Sequence, residues 1–501
     1  PAPPAVRRFG KALLVPWRTQ NSKADEVWLS SQNMASCFAA LRSSRFTGRS
    51  TVRRQGSLLL AACGLLAFSS LARGEGEIAP PPPATSEIKA ASQALLGAVD
   101  EITRKVVAIR GLQSKSSFAR GVLSRQEITL RLKERIHNDY SPDEVKGEAL
   151  VLKRMGLLPV DADYEKLLFD LLSEQVAGFY DPYRKTLYIA DWLPVDMQRP
   201  ALAHEIQHAL QDQHFDLKKL ARPLKSEGDR QLAQAAVVEG DGTAVMMEFA
   251  ARGMGAESAQ LPTVLARLGR QMMQLALSTT PSLQQAPPVL RESLMFPYAA
   301  GLEFVAAVRS DKPWSRIDAV FRDPPVSTEQ VMHPDKYLSG EKPWRITATP
   351  LASLPLYKEQ RRDVLGELMW KVWFARAQSE RDAEQAAAGW GGDLLVSWTQ
   401  PGETLPLVAV LSGWDTEKDA DEAEQAAQKL ILSLTGKTGD KLPQPGKTQL
   451  FERTSGDRTF AVARRGQKLL ILCGVPAAST SAVVAEIFRT WTVSPPGPSA
   501  Q

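Results

Sequence analysis

Cysteine is almost absent: there are three in 501 residues, Cys37, Cys63 and Cys473. Two of them lie in the first 74 residues, so a chain without that region holds one thiol and no internal disulfide. A framework of disulfides is excluded. Cys473 sits in the apolar run KLLILCGV and reads as a buried strand residue, not a nucleophile. Long apolar runs are absent too. Beyond the N-terminal region no stretch reaches the roughly eighteen residues needed to span a bilayer. An excess of one charge is also missing. The formal net charge is +5, but residues 1–74 hold eleven Lys/Arg against Asp25 and Glu26, and the remainder is net −4. That leaves no basic footprint for nucleic acid. Histidine is the last scarcity, at five residues, and three of the five fall within eleven positions.

The N-terminal residues read as an address, not a domain. TVRRQGSLLLAACGLLAFSSLARGEGE has paired arginines, an apolar core from Leu58 to Leu71 and small residues behind it. That layout predicts an exported protein cleaved after Ala72. The alternative is a lipoprotein box, Leu60-Ala61-Ala62-Cys63, with a lipid anchor at Cys63. Met34 is a candidate start. The expected organisation is an extension with export signal (1–74), a Pro-rich linker (75–86), a helical domain (87–360) and a helix followed by a small α+β domain (361–495). The fold class is α+β.

Periodicity supports this. Residues 87–175 show apolar positions at helical spacing, and SPDEVKGEALVLKRMGLL predicts a helix with Ser141 as N-cap, Pro142 at its first position and a stop at Gly156. GFYDPYRKTLYIAD then alternates around a turn and predicts a short hairpin or edge strand. Helices resume to about residue 320, and 361–388 reads as one more. After it, DLLVSWTQ, LPLVAVLSGW and the segment from 449 to 475 read as strands, with helices at 417–434 and 479–491.

The three clustered histidines stand in LAHEIQHALQDQHFDL, residues 202–217. On a helix His204 and His208 project from one face, one turn apart. Two imidazoles so placed can bind one Zn²⁺, and Glu205 beside them can take a proton from the activated water. Asp212, one turn beyond His208, can orient a site residue.

HEIQHALQD resembles the zinc helix of thermolysin-like gluzincin peptidases. Together with GFYDP, VVEGDGT and STEQVMHP it resembles a group of exported bacterial HExxH proteins, over about residues 165–340. The resemblance implies a zincin-like catalytic domain, a zinc cofactor and a peptide or protein substrate paired to the edge strand KTLYIAD. It implies a glutamate third ligand on a second helix, and Glu239 fits, with Gly240 and Gly242 beside it for close helix packing. The alternative ligand is His214, at metzincin spacing from His204. That pattern needs a glycine where Gln211 stands, and a continuing helix carries His214 off the metal face. Thermolysin-type enzymes have Asp four residues after the glutamate ligand. Thr243 holds that position here, and Asp241 lies two after. The resemblance also implies an oxyanion donor after the third ligand, for which His333, at the end of a helix begun near Ser327 and stopped by Pro334, and Tyr298, at the start of another helix, are candidates. A non-proteolytic zinc-containing binding or scaffold protein of the cell envelope is the competing reading.

Overall fold

The computed structural model describes residues 86–494, apart from 176–177, 192–194, 221, 256–260, 311 and 444–449. All described residues belong to one compact unit. The expected signal, its cleavage point at Ala72, Cys63 and the Pro-rich linker lie outside the described residues.

The fold is α+β. It opens with α1 (Ser86–Gly97) and α2 (Val99–Arg110), then β1 (Ala119–Leu123), α3 (Arg125–Asp139), α4 (Pro142–Arg154) and α5 (Tyr164–Gln175). At α4 the local chemistry acts as the sequence predicts. Ser141 accepts from Glu144 N–H in a capping box, Pro142 occupies the first turn, and Gly156 takes φ +72° just past the end. The hairpin follows as β2 (Gly178–Asp181) and β3 (Thr186–Ala190), paired antiparallel.

One expectation is corrected here. The strand within KTLYIAD, β3, is not an edge. β1 pairs with it in parallel, Ala119 opposite Thr186, and the order is β1-β3-β2. The edge strand beside the following helix is β2. β1 is hidden in a segment that reads as helical throughout, because five residues carry too little alternation to outweigh the helical pattern on both sides.

Next come α6 (Val195–Phe215), α7 (Leu217–Leu220), α8 (Gly228–Gly253), α9 (Leu261–Thr279), α10 (Pro281–Gln285) and α11 (Pro288–Arg309). α6 lies between the small sheet and α8, and α8 packs along α11. The α8–α11 approach is close at one point. A Cβ on Gly240 would lie 2.3 Å from the backbone carbonyl of Gly301, and one on Gly301 would lie 2.2 Å from the Ala236 oxygen. Gly240 therefore serves the α8–α11 pair and not the α6–α8 pair. Backbone cannot yield as a side chain can, so Gly240→Ala forces the helices apart. An expected loss of about 1–3 kcal/mol or more appears as a lower urea midpoint at unchanged slope; an unchanged midpoint contradicts this packing.

The rest is α12 (Ser315–Arg322), α13 (Thr328–Met332), α14 (Pro334–Leu338), β4 (Arg345–Thr347), β5 (Lys358–Asp363), α15 (Gly366–Phe374), α16 (Glu380–Ala387), β6 (Trp390–Thr399), β7 (Leu407–Trp414), α17 (Glu417–Thr435), β8 (Phe451–Ser455), β9 (Arg458–Arg465), β10 (Lys468–Pro476), α18 (Thr480–Thr490) and β11 (Thr492–Ser494). Segment 361–388 is thus a strand end and two helices, not one helix. KEQRRD forms β5 at a sheet edge, where Lys358, Glu359 and Gln360 are exposed and no apolar alternation is needed. The six-stranded antiparallel sheet has the order β5-β6-β7-β10-β9-β8.

Both faces of that sheet are covered. Leu394, Val396, Leu411 and Leu472 face α18 through Val483 and Ile487. Their neighbours Leu395, Val410, Ile471 and Cys473 join a core that runs through α17 and α15 to α6, α8 and α11. Packing is therefore continuous across residue 360. Burial pushes the Cys473 thiol up to about 12, which keeps it protonated. Asp393 ties the seam, accepting from Leu365 N–H, Gly366 N–H and the indoles of Trp370 and Trp390 at 2.8–3.0 Å. Among the described residues no helix is long and apolar enough to cross a membrane.

At the same seam Asp229, at the start of α8, accepts from Thr328 N–H at 3.0 Å and from its hydroxyl at 2.5 Å. Burial raises its carboxyl to about 8 against these bonds, with the charges of Asp393 and Asp363 adding. The folded state then holds a proton that the unfolded chain releases near pH 4. The resulting stabilisation is full below that pH and is lost as pH rises toward 8. Asp229→Asn keeps the acceptor for Thr328, so it should reduce the fall of unfolding free energy between about pH 4 and 8. An identical slope in the variant would contradict this.

Candidate metal centre

α6 is a buried helix with polar residues on one side. Its side chains at 204, 207, 208 and 211 share a face. His204 and His208 lie with ring centroids 4.5 Å apart at 89°. Across from them α8 presents Glu239. Its Oε2 is 3.1 Å from His204 Nε2 and 3.4 Å from His208 Nε2. One atom from each of the three residues lies within 4.8 Å of the others, a spacing that could hold one cation. A Cβ on Gly242 would meet the His204 ring at 2.8 Å, so that glycine makes the room α8 needs beside the imidazole.

Burial makes this grouping costly without a positive charge. His204, Glu205, His208 and Glu239 are 1, 2, 4 and 0% exposed. His208 Nε2, Glu239 Oε1 and Glu205 Oε1 are buried with no hydrogen-bond partner. Burial disfavours the His208 imidazolium, but Glu239 beside it outweighs that and raises it to about 9. Burial also works against the Glu239 carboxylate, yet His208 and His204 hold it below the usual range. His204 is lowered, by burial first and by His208 second. One positive charge is thus favoured among three groups, and two nitrogens and a carboxylate suit zinc.

Glu205 points to the small sheet. Its Oε2 accepts from Tyr180 N–H in β2 at 2.8 Å. Burial pushes its carboxyl up to about 8; the charge of Glu239 adds, while His208 and the Tyr180 bond oppose. Asp212 fastens β2 to α6. It accepts from Tyr180 OH at 2.8 Å, from Lys185 Nζ and from Leu217 N–H. It therefore orients the strand whose N–H holds Glu205, and does not touch a histidine.

Residues 353–484 are similar to a family described as a domain of unknown function, DUF8575. That span runs from just before β5 into α18 and excludes the HExxH helix. A solved structure described as "a putative hydrolase with a novel fold from Chloroflexus aurantiacus" is similar over 52% of this chain and 92% of that one. The identity is 18% and the TM-score 0.31. No curated protein matches the chain.

The remaining expected residues separate. The Tyr298 ring stacks beside His204, centroids 6.2 Å apart at 30°. Tyr298 is not at a helix start but deep in α11, because the buried α8–α11 face carries the helix through Pro297. His333 lies between α13 and α14, where Ser327 caps one helix and Pro334 begins the next. Its Nε2 bonds Glu367 Oε1 at 2.9 Å, so the structure brings it to Glu367 of α15. His214 is still on α6, and its Nε2 donates to the Gln113 carbonyl at 2.7 Å. A second acidic group, Glu329, Glu341 and Asp415, is filled by Lys336 Nζ at 2.6, 2.8 and 2.6 Å.

Sequence reading missed Gln211, which bonds His208 Nδ1 at 2.8 Å, and the buried pair Arg110–Asp241 behind it. The available signal was the helix face. Two glutamines one turn apart, Gln207 and Gln211, on the histidine side of a buried helix need partners.

Proposed function

We propose that this chain is a zinc-dependent peptide hydrolase, an endopeptidase exported to the cell envelope or beyond. The observation that carries the reading is the convergence of His204, His208 and Glu239 with Glu205 alongside. His204, His208 and Glu239 would hold the ion. Zinc bound there supplies a Lewis acid and a water whose pKa falls to about 7.

The chain's own groups do the rest. Tyr180 N–H fixes Glu205 Oε2, which leaves Oε1 as the open acceptor. Glu205 takes the proton from the attacking water and returns it to the leaving amine. A carboxyl raised by burial is suited to both directions near neutral pH. Tyr298, stacked on His204, is the favoured oxyanion donor; His333 is engaged with Glu367. Peptide is favoured as substrate by the likeness of HEIQHALQD to the gluzincin zinc helix; β2, the strand next to Glu205, is itself buried, with Tyr180 N–H given to Glu205.

Two observations favour the second reading, a zinc-containing protein that binds or scaffolds without cleaving. The four polar side chains are buried, and the matched family lies in the C-terminal sheet. Metal analysis with peptide-library cleavage separates the readings, using wild type and Glu205→Gln. One zinc per chain with cleavage by wild type alone supports the hydrolase. One zinc with no cleavage by either supports the scaffold.

A further inference from the structure

Behind His208 lies a chain of buried polar groups that the proposed reaction does not use. His208 Nδ1 is 2.8 Å from Gln211 Oε1. The Gln211 amide has no freedom to turn. Its Nε2 donates to the Val238 carbonyl at 3.0 Å and to Asp241 Oδ2 at 2.7 Å. A carbonyl and a carboxylate only accept, so the amide nitrogen must face them and the amide oxygen must face His208. That oxygen cannot donate. His208 Nδ1 therefore carries the hydrogen, and in the neutral ring Nε2 carries the lone pair. Nε2 is the atom turned to Glu239.

Asp241 sets this arrangement and is itself held from two sides. Its Oδ2 also accepts from Gln207 Nε2 at 2.6 Å, and its Oδ1 from Arg110 Nε at 2.7 Å. Arg110 pairs with Asp318 at 2.8 Å and lies over the Trp314 ring. Arg110 and Asp241 are 1% and 0% exposed, so each buried charge needs the other. His204 has no such support, since its Nδ1 lacks a hydrogen-bond partner.

We propose that Gln211, locked by Asp241 and Arg110, is a positioning residue that fixes His208 in the tautomer able to bind a metal through Nε2. This rests on the zinc reading. Groups in this place typically change metal affinity about 10–100-fold.

The test is zinc affinity of the full chain by competition with a chromophoric chelator, for wild type, Gln211→Met, Asp241→Asn and the double variant. Gln211→Met removes the acceptor and leaves Arg110–Asp241 paired. It should weaken zinc binding about 10–100-fold. Asp241→Asn frees the amide to turn and should weaken it as well. The double variant should bind no worse than Gln211→Met, because both changes act through one bond. Wild-type affinity in Gln211→Met overturns the proposal, as does an additive loss in the double variant. If Asp241→Asn does not fold, Gln211→Met alone decides. A wild type that binds no zinc is a different outcome: it removes the zinc reading and this assignment with it.

Discussion

Glu205→Gln lowers kcat for peptide cleavage by about 10²–10⁴ and leaves zinc content at the wild-type level. The geometry makes this substitution clean. Glu205 contributes no atom to the group of His204, His208 and Glu239. Its one described bond is acceptance from Tyr180 N–H at 2.8 Å, and an amide oxygen accepts as a carboxylate does. The variant therefore keeps the link between β2 and α6 and loses only the group that can take a proton. Its melting temperature should not fall. Full activity in Glu205→Gln would place the base elsewhere. Loss of zinc together with activity would make Glu205 part of the metal's holding set.

Glu239→Ala removes zinc. It takes the only carboxylate from the three ligand atoms and leaves two imidazoles facing a cavity. Affinity should fall by more than the roughly 100-fold typical of groups behind the ligands. A second effect follows from burial. Glu239 is the charge that holds the His208 proton, and burial opposes that proton once the carboxylate is gone. The His208 titration should move down in the zinc-free variant, which histidine proton NMR can read among five imidazoles. Equal zinc affinity in wild type and Glu239→Ala contradicts the assignment. His214→Ala is the control: its imidazole serves the Gln113 carbonyl, and zinc content should not change.

The α6 helix and the shared face of His204 and His208 were legible in the sequence because spacing on a helix is geometry that four residues fix. Glu239 was legible in outline, as a lone carboxylate in apolar sequence that burial would leave in need of a partner. The strands between 390 and 476 were legible as apolar runs, since both faces of that sheet are buried. What the sequence hid depends on contacts far apart in the chain. β1 is a strand because β3 lies beside it, and it demotes β3 from the edge. Arg110 meets Asp241 across 131 positions, and no local pattern announces that pair. Tyr298 was misplaced because Pro297 normally ends or begins a helix, while here the close packing of Gly301 on Gly240 carries α11 through it.

Zinc K-edge X-ray absorption of the full-length protein, loaded with one equivalent, tests the central claim most directly. It reads the ligands without relying on activity. The account predicts a shell of nitrogen and oxygen only, with the outer-shell signature of two imidazoles and a carboxylate, and loss of the carboxylate component in Glu239→Ala. Three imidazoles, a sulfur scatterer, or no bound zinc at all would contradict it.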